Sequence, residues 1–281
     1  MKIVSTIKEV RDTVSEWKKQ GLIVGFVPTM GYLHDGHGSL VKRSVEENDK
    51  TIVSIFVNPI QFAPGEDFVR YPRDLERDSA ICESAGADLI FHPDRSEMYE
   101  ENFSTFMDLT GPSTGLCAKT RPDHFRGVCT VVAKLFLITA PHKAYFGQKD
   151  AQQLAVITKM VRDMNFDVEV IGCPIVREED GLAMSSRNSY LSPEERKAAE
   201  ILNIALSLGR NLIINGIRES QIVKVEIEKF IKQEPLARID YVDIVSFPDI
   251  KPLEKISGKV LTAIAVYIGK TRLIDNFILE V

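Results

Sequence analysis

His34 and His37 close the stretch Pro28-Thr29-Met30-Gly31-Tyr32-Leu33-His34-Asp35-Gly36-His37, and their spacing suits anion chemistry. An apolar run with β-branched members, Leu22 to Val27, leads into it, and helical spacing follows from Gly36 to about Glu47 (Leu40, Val41, Ser44, Val45). A strand therefore ends in a glycine-punctuated turn, with both imidazoles where a helix begins. Backbone N–H groups and the helix dipole attract anions there, and imidazole can donate to phosphate oxygens in either charge state. The plain alternative is a helix start bearing two surface histidines. A zinc pair is the other, but the third ligand of a catalytic zinc has no local candidate. A strand, turn, HxGH and helix in sequence is more restrictive than either, and it reads as a nucleotide-phosphate site.

Three further stretches carry chemistry-bearing side chains. Asn58-Pro59-Ile60-Gln61-Phe62 leaves a strand with two amides, which both donate and accept and so suit a ligand carrying carboxylate and hydroxyl groups. Turn chemistry alone would also explain an Asn there. Gly147-Gln148-Lys149-Asp150 repeats the strand-to-helix position with a point cation for phosphate and an aspartate for a ribose hydroxyl or a helix cap. Gln153 lies one turn further on. Met184-Ser185-Ser186-Arg187-Asn188 packs two hydroxyls and a guanidinium into one loop, as a triphosphate clamp or lid would, or simply a polar linker. The apolar Leu182-Ala183-Met184 argues against a plain linker. Finally, Arg121-Pro122-Asp123-His124-Phe125-Arg126-Gly127 places cations at the positive end of a helix, which requires an anion or acid nearby. No GxxxxGK[ST], GxGxxG or GxSxG motif is present.

The elements that position these residues alternate. Helical spacing at Ile7, Val10, Val14 and Trp17 precedes the Leu22–Val27 strand. Thr51–Val57 is a second strand, Pro72 opens a helix through Leu75 to Ala85, and Ala87–Phe91 is a short strand. Val128–Ile138 reads as a buried helix, Lys143–Phe146 as a strand, Asp150–Met164 as a helix and Val168–Cys173 as a strand. Such alternation predicts an α/β domain with a parallel sheet, whose ligands bind beyond the strands' carboxyl ends. After Arg187 the pattern changes. Ser192-Pro193-Glu194-Glu195 is a capping box opening a long helix to about Ile214, and Ser220–Lys232 is a second helix. Three strand-like runs follow, Ile239–Ser246, Lys259–Ile268 and Leu273–Leu279, and predict a small antiparallel sheet. The expected division is 1–176 for the α/β domain and 182–281 for a smaller α+β domain, with the polar Arg177–Gly181 stretch as boundary.

Composition fits a soluble enzyme. The chain has 281 residues and a net charge of −5, so no global positive field favours nucleic acid or acidic membranes. Cys82, Cys117, Cys129 and Cys173 lack CxxC spacing and read as reduced, mostly buried thiols. The N-terminus shows no signal-peptide h-region, and Val128–Ala140, the most apolar segment, is too short to span a bilayer. A cytoplasmic location is expected.

Taken in order, PTMGYLHDGH, SIFVNPIQF, RYPRD, HFRGV, AYFGQKDAQQ, IVREEDGLAMSSRN and YLSPEER resemble the signatures of the pantoate–β-alanine ligase family of the HxGH nucleotidyltransferase superfamily. The match runs over essentially the whole chain and weakens after about Ile201. It implies a Rossmann-like N-terminal domain with a C-terminal lid, a homodimer, and an AMP-forming ligase. In that reaction ATP and (R)-pantoate give pantoyl adenylate and pyrophosphate, and the amine of β-alanine then takes the acyl group. By resemblance His37 is the catalytic acid with His34 beside it. The ATP site comprises Met30, Gly31, Tyr32, Leu33, His34, Asp35, Gly36, His37 and Met184, with Lys149, Ser185, Ser186 and Arg187 completing the phosphate clamp. Gly147, Gln148, Asp150 and Val176 lie along the nucleotide, Gln61 and Gln153 hold pantoate, and Gln61 also serves β-alanine. Mg²⁺ is implied on the ATP phosphates, with no all-protein metal cage. Gly38, Ile60 and Asp123 depart from the family's usual residues. One rival is a nucleotidyltransferase acting on a phosphorylated alcohol, which would need a second phosphate pocket where Asn58, Gln61 and Gln153 offer amides. The other is a non-catalytic nucleotide-binding regulator, at odds with the presence of His37, Lys149 and Arg187.

Overall fold

The structure is a computed structural model that describes every residue from Met1 to Val281. Nine strands and nine α-helices follow one another as β1 (Lys2–Val4), α1 (Ile7–Lys19), β2 (Val24–Thr29), α2 (Asp35–Glu47), β3 (Lys50–Ile55), α3 (Leu75–Ser84), β4 (Leu89–Phe91), α4 (Arg95–Met98), α5 (His124–Thr139), β5 (Lys143–Gly147), α6 (Ala151–Asp163), β6 (Glu169–Cys173), α7 (Pro193–Ala198), α8 (Ile201–Ile214), α9 (Ser220–Ile231), β7 (Ala237–Ser246), β8 (Lys259–Ile268) and β9 (Thr271–Glu280). The chain forms two compact units. The first comprises residues 1–109, 121–148 and 156–174, and the second 110–120, 149–155 and 175–281. The division is thus not one cut in the chain: two short stretches from its first half, 110–120 and 149–155, cluster with the C-terminal part.

In the first unit six parallel strands lie in the order β1-β4-β3-β2-β5-β6. Strands β2 and β3 pair from Val24↔Lys50 to Thr29↔Ile55, and β5 flanks β2 on the other side. The order reverses between β2 and β5, the switch point at which such sheets bind ligands. Alternating residues bury both faces. Val27 of β2 with Val53 and Ile55 of β3 packs on Leu40 and Val41 of α2 and Cys82 of α3. On the opposite face Phe26 meets Phe136 of α5 edge-on, with ring centroids 6.3 Å apart. The all-parallel sheet explains why these strands are apolar throughout rather than alternating.

The second unit packs α8 and α9 on the antiparallel sheet β7-β8-β9, burying Leu202, Leu206, Val223 and Ile227 against Ile264, Val266 and Leu273. A separate cluster joins Leu116, Ala151 and Ala155 to Val245, Leu261 and Ala263, which explains why both early segments belong to this unit.

Several elements differ from expectation. The helix expected from the Ser192 capping box to Ile214 is two, α7 and α8, because hydrogen bonds tighten to i→i−3 at Glu200 (to Lys197) and Leu202 (to Ala199). Helix α3 begins at Leu75 behind the Asp74 cap rather than at Pro72. Helix α5 starts at His124, within the Arg121–Gly127 stretch expected to open it, and ends one residue beyond the expected Ile138. Strand β1 was not anticipated; it is three residues long and gains its order from pairing with β4. No helix is long and apolar enough to cross a membrane.

Candidate active site

Strand β2 ends at Thr29, whose Oγ1 donates to the Ser54 carbonyl at 2.7 Å and accepts from the Gly31 N–H at 3.2 Å. The chain then turns through two left-handed residues, Gly31 (φ 84°) and Tyr32 (φ 51°). A Cβ on Gly31 would stand 2.9 Å from Asp78 Oδ2, so this position needs glycine for space as well as conformation. Asp78 is the clamp of the turn. Sitting on α3 and almost fully buried, it accepts from the Tyr32 N–H at 2.8 Å and the Leu33 N–H at 2.6 Å. Burial pushes its carboxyl up from the ordinary value, and these two N–H groups oppose that. The Arg77 guanidinium lies over the Tyr32 ring, 4.7 Å from its centroid.

His34 is the N-cap of α2, and its Nδ1 accepts from the Gly36 N–H at 3.1 Å. His37 Nδ1 accepts from the His34 N–H at 3.4 Å, completing a reciprocal box in which imidazoles replace the usual Ser and Glu. The two ring centroids are 4.1 Å apart. A ring nitrogen that accepts carries no proton, so the bonding pattern assigns the remaining N–H of each ring to Nε2. The turn thus fixes two imidazoles at the positive end of a helix, in the protonation pattern that donates to an anion.

Gln61 lies on the short 3₁₀ turn after β3 (Pro59–Gln61) and is buried. Its Nε2 is 3.1 Å from Met30 Sδ, which joins this turn to the His34–His37 turn. Asn58, expected as a ligand amide, is instead spent inside the protein. Its Nδ2 donates to Gln61 Oε1 at 3.0 Å and to the Gly127 carbonyl at 3.1 Å, and its Oδ1 accepts from the Tyr99 hydroxyl at 2.8 Å. Asn58 therefore aims Gln61. Helix α5 approaches so closely that a Cβ on Gly127 would meet the Ile60 carbonyl at 2.5 Å and Gln61 Cα at 2.6 Å.

The cations at the start of α5 find protein partners. Arg121 Nε is 2.5 Å from Glu66 Oε1, and its NH2 donates to Glu66 Oε2 at 2.7 Å. The Arg126 guanidinium lies 4.2 Å from the Phe106 centroid. His124 Nδ1 is 3.0 Å from the Gln61 carbonyl. Glu66 is the acid that this cluster required, and the cluster buttresses the Gln61 turn.

In the second unit, Lys149 and Asp150 lie on a 3₁₀ turn ahead of α6, with Lys149 Nζ 3.4 Å from Asp150 Oδ2. Gln153 follows on α6, half-buried. Ser185 caps the next 3₁₀ turn, accepting from the Arg187 N–H at 3.3 Å, and Ser186 is buried. The preceding segment is not a loose linker. It doubles back, Arg177 bridging Ala183, with the Glu178 N–H donating to the Leu182 carbonyl and the Met184 N–H to that of Val176. Asn188 Nδ2 donates to Glu178 Oε1 at 2.7 Å and to the Ala183 carbonyl at 3.1 Å. Arg196 holds Glu178 and Asp180 from α7.

The structure thus brings Met30 to His37 together with Gln61 in the first unit, where Gly147 and Gln148 also lie at the end of β5. Lys149, Asp150, Gln153, Val176 and Met184 to Arg187 belong to the second. Within the first set Leu33 is fully buried among core residues, with its backbone N–H held by Asp78, whereas Asp35 is exposed. Sequence reasoning missed Asp78 and Tyr99, which hold the two turns of the first unit. Asp78 had one signal, a charge one turn before Cys82 on an apolar face.

Comparison with known proteins agrees over the whole chain. A family model described as pantoate-beta-alanine ligase matches residues 2–278. A protein of Carboxydothermus hydrogenoformans named pantothenate synthetase is 58% identical over 282 residues, covering 100% of both chains. One of the same name from Enterococcus faecalis is 58% identical over 280 residues, covering 100% of this chain and 99% of its own. Among solved structures, pantothenate synthetase of Thermus thermophilus superposes with a TM-score of 0.92 at 48% identity over 99% of each chain. The pantoate-beta-alanine ligase of Francisella tularensis, solved with a β,γ-ATP compound and β-alanine, gives 0.80 at 35% identity, covering 99% of this chain and 97% of that one. With sequence and fold both matched from end to end, the chain belongs to the pantoate–β-alanine ligase family.

Proposed function

We propose that this protein condenses (R)-pantoate with β-alanine in two steps. A carboxylate oxygen of pantoate attacks the α-phosphorus of ATP and pyrophosphate leaves. The amine of β-alanine then attacks the acyl carbon of pantoyl adenylate, and AMP leaves with the acyl–oxygen electron pair. One observation carries the reading: a chain matching the ligase family over 2–278 holds two Nδ1-fixed imidazoles at a helix N-terminus, with the aimed carboxamide of Gln61 joined to the same turn.

The residue roles are those the family resemblance implies, and their chemistry supports them. His37 and His34 donate from Nε2 to phosphate oxygens as charge builds during adenylation, with His37 the catalytic acid; preorganised donors at that point lower the barrier more than covalent help would. Met30 to Asp35 and Gly36 form the turn that follows the nucleotide. Lys149, Ser185, Ser186 and Arg187 supply the further phosphate contacts, Gly147, Asp150 and Val176 the adenosine contacts, and Gln148 and Met184 complete the ATP site. Gln61 and Gln153 hold pantoate, and Gln61 receives β-alanine in the second step. Mg²⁺ would accompany ATP, held by the phosphates and by water rather than by an all-protein cage. The proposal extends to a homodimer in the cytoplasm, where four free thiols suit the redox conditions.

The test is exchange of labelled pyrophosphate into ATP. Exchange that requires pantoate but not β-alanine is the expected result. Exchange indifferent to pantoate, or dependent on β-alanine, would overturn the order of steps.

A further inference from the structure

We infer that Asp275 and Asn276, consecutive residues of β9, are positioning residues for the phosphate contacts of the second unit. Asn276 Nδ2 donates to the Lys149 carbonyl at 2.8 Å, so the backbone from which the Lys149 ammonium projects is tied to the sheet. Asp275 receives Arg177 in a two-point pair, NH1 to Oδ2 at 2.7 Å and NH2 to Oδ1 at 3.0 Å. Arg177 NH1 also donates to the Gly181 carbonyl at 2.9 Å, clamping the turn that leads into Ser185–Arg187. The Asn276 N–H donates to Asp275 Oδ1 at 2.7 Å, which links the two ties at adjacent strand positions. One polar pair thereby anchors both segments to which phosphate contacts are assigned above, and the inference rests on that assignment.

Packing alone does not ask for these residues. Their cross-strand partners are Ile264 and Ala263, both buried and apolar. The Asp275 side chain has no exposed surface, whereas Arg177 keeps 28% of its own. Burying a carboxylate in an apolar sheet costs more than an apolar pair would. Burial pushes the Asp275 carboxyl up, opposed by Arg177, by the Asn276 N–H and by the charge of Lys149. Asp275 therefore feels the same cation whose backbone Asn276 holds.

The experiment is a double-mutant cycle read by pantoate-dependent pyrophosphate exchange, with a label that does not need activity. Asn276→Ala is expected to lower exchange about tenfold, mainly through KM for ATP, yet by less than about twofold when added to Lys149→Ala. An equal tenfold loss in both backgrounds overturns the inference. In the protein without substrates, the rate of Lys149 acylation by acetic anhydride, followed by mass spectrometry, is expected to rise at least about threefold in Asn276→Ala relative to Lys159, with unchanged labelling the overturning result. Asp275→Asn keeps the shape and removes the charge; it is expected to raise KM for ATP with little change in kcat, and an unchanged KM counts against the inference. Should that variant fail to fold, the Asn276 cycle and the labelling decide. Wild-type protein lacking exchange, but showing the labelling difference, would overturn the proposed function and leave the positioning role standing. Normal exchange with no coupling and no labelling difference would do the reverse.

Discussion

His34 and His37 show how one residue type serves local structure and chemistry together. Each imidazole uses Nδ1 to satisfy a backbone N–H that would otherwise be orphaned at the start of α2, and presents Nε2 as a donor. Removing the donors should cost catalysis more than folding. His37→Ala and Lys149→Ala are each expected to lower adenylate formation about a hundredfold or more, equivalent to about 3 kcal/mol of transition-state stabilisation. Single-turnover formation of pantoyl adenylate checks this, and near-normal rates would remove either residue from the mechanism. Gly38, one step beyond His37, behaves differently. It is buried, yet a Cβ there would meet only Ile81 Cγ2 at an ordinary 3.8 Å. Glycine in a helix is disfavoured relative to alanine by up to about 1 kcal/mol, so Gly38→Ala should raise the melting temperature by up to about 3 °C. Pyrophosphate exchange should be unchanged; lost ATP binding would show that the bare backbone is needed.

Elements set the precision of the site. Residues 58–61 leave β3 as a turn, and α5 crosses them at a distance that only a glycine allows. The atoms that a Gly127 side chain would strike are backbone, which cannot rotate away. Gly127→Ala should therefore destabilise the first unit by about 1–3 kcal/mol and disturb Gln61. Denaturant unfolding combined with KM for pantoate tests this, and a variant of wild-type stability and KM would show that α5 can shift. Sequence periodicity found the body of α5 at Val128–Ile138, and the polar Arg121–Gly127 stretch marked its opening without fixing the partner of its cations. Arg121, just ahead of α5, is held by Glu66, which lies 55 positions away in sequence. The α7–α8 break was likewise illegible, since Leu202 and Leu206 continue a helical stripe whatever the hydrogen bonds do at Glu200.

At the scale of the molecule, pH stability has a defined sign. His142 Nδ1 accepts from the Val24 N–H at 2.9 Å, fixing the first residue of a central strand. Burial first, and then the charge of Lys18, hold this ring below its ordinary 6.5. The folded state thus takes up the proton less readily than the unfolded chain. This group's contribution is full above about pH 6.5 and lost as pH falls through the window beneath it. His142→Asn retains an acceptor without titrating, so its melting temperature should fall less than the wild type's between about pH 8 and about pH 5; parallel curves would remove His142 from the pH response. The amino-acid sequence by itself determined the fold class, the order of most elements, the ligase family and the candidate chemical groups. All of these live in short-range patterns: apolar runs bounded by glycine and proline, helix caps, and motif residues a few positions apart. Only the tertiary structure decided which polar residues are consumed by the scaffold. Asn58, legible as a ligand amide, is consumed by Gln61, Gly127 and Tyr99, while Asp78 and Asp275, legible as ordinary acids, hold the turns that carry His34 and Ser185. A buried polar group takes its role from the partner that satisfies it, and those partners lie far along the chain.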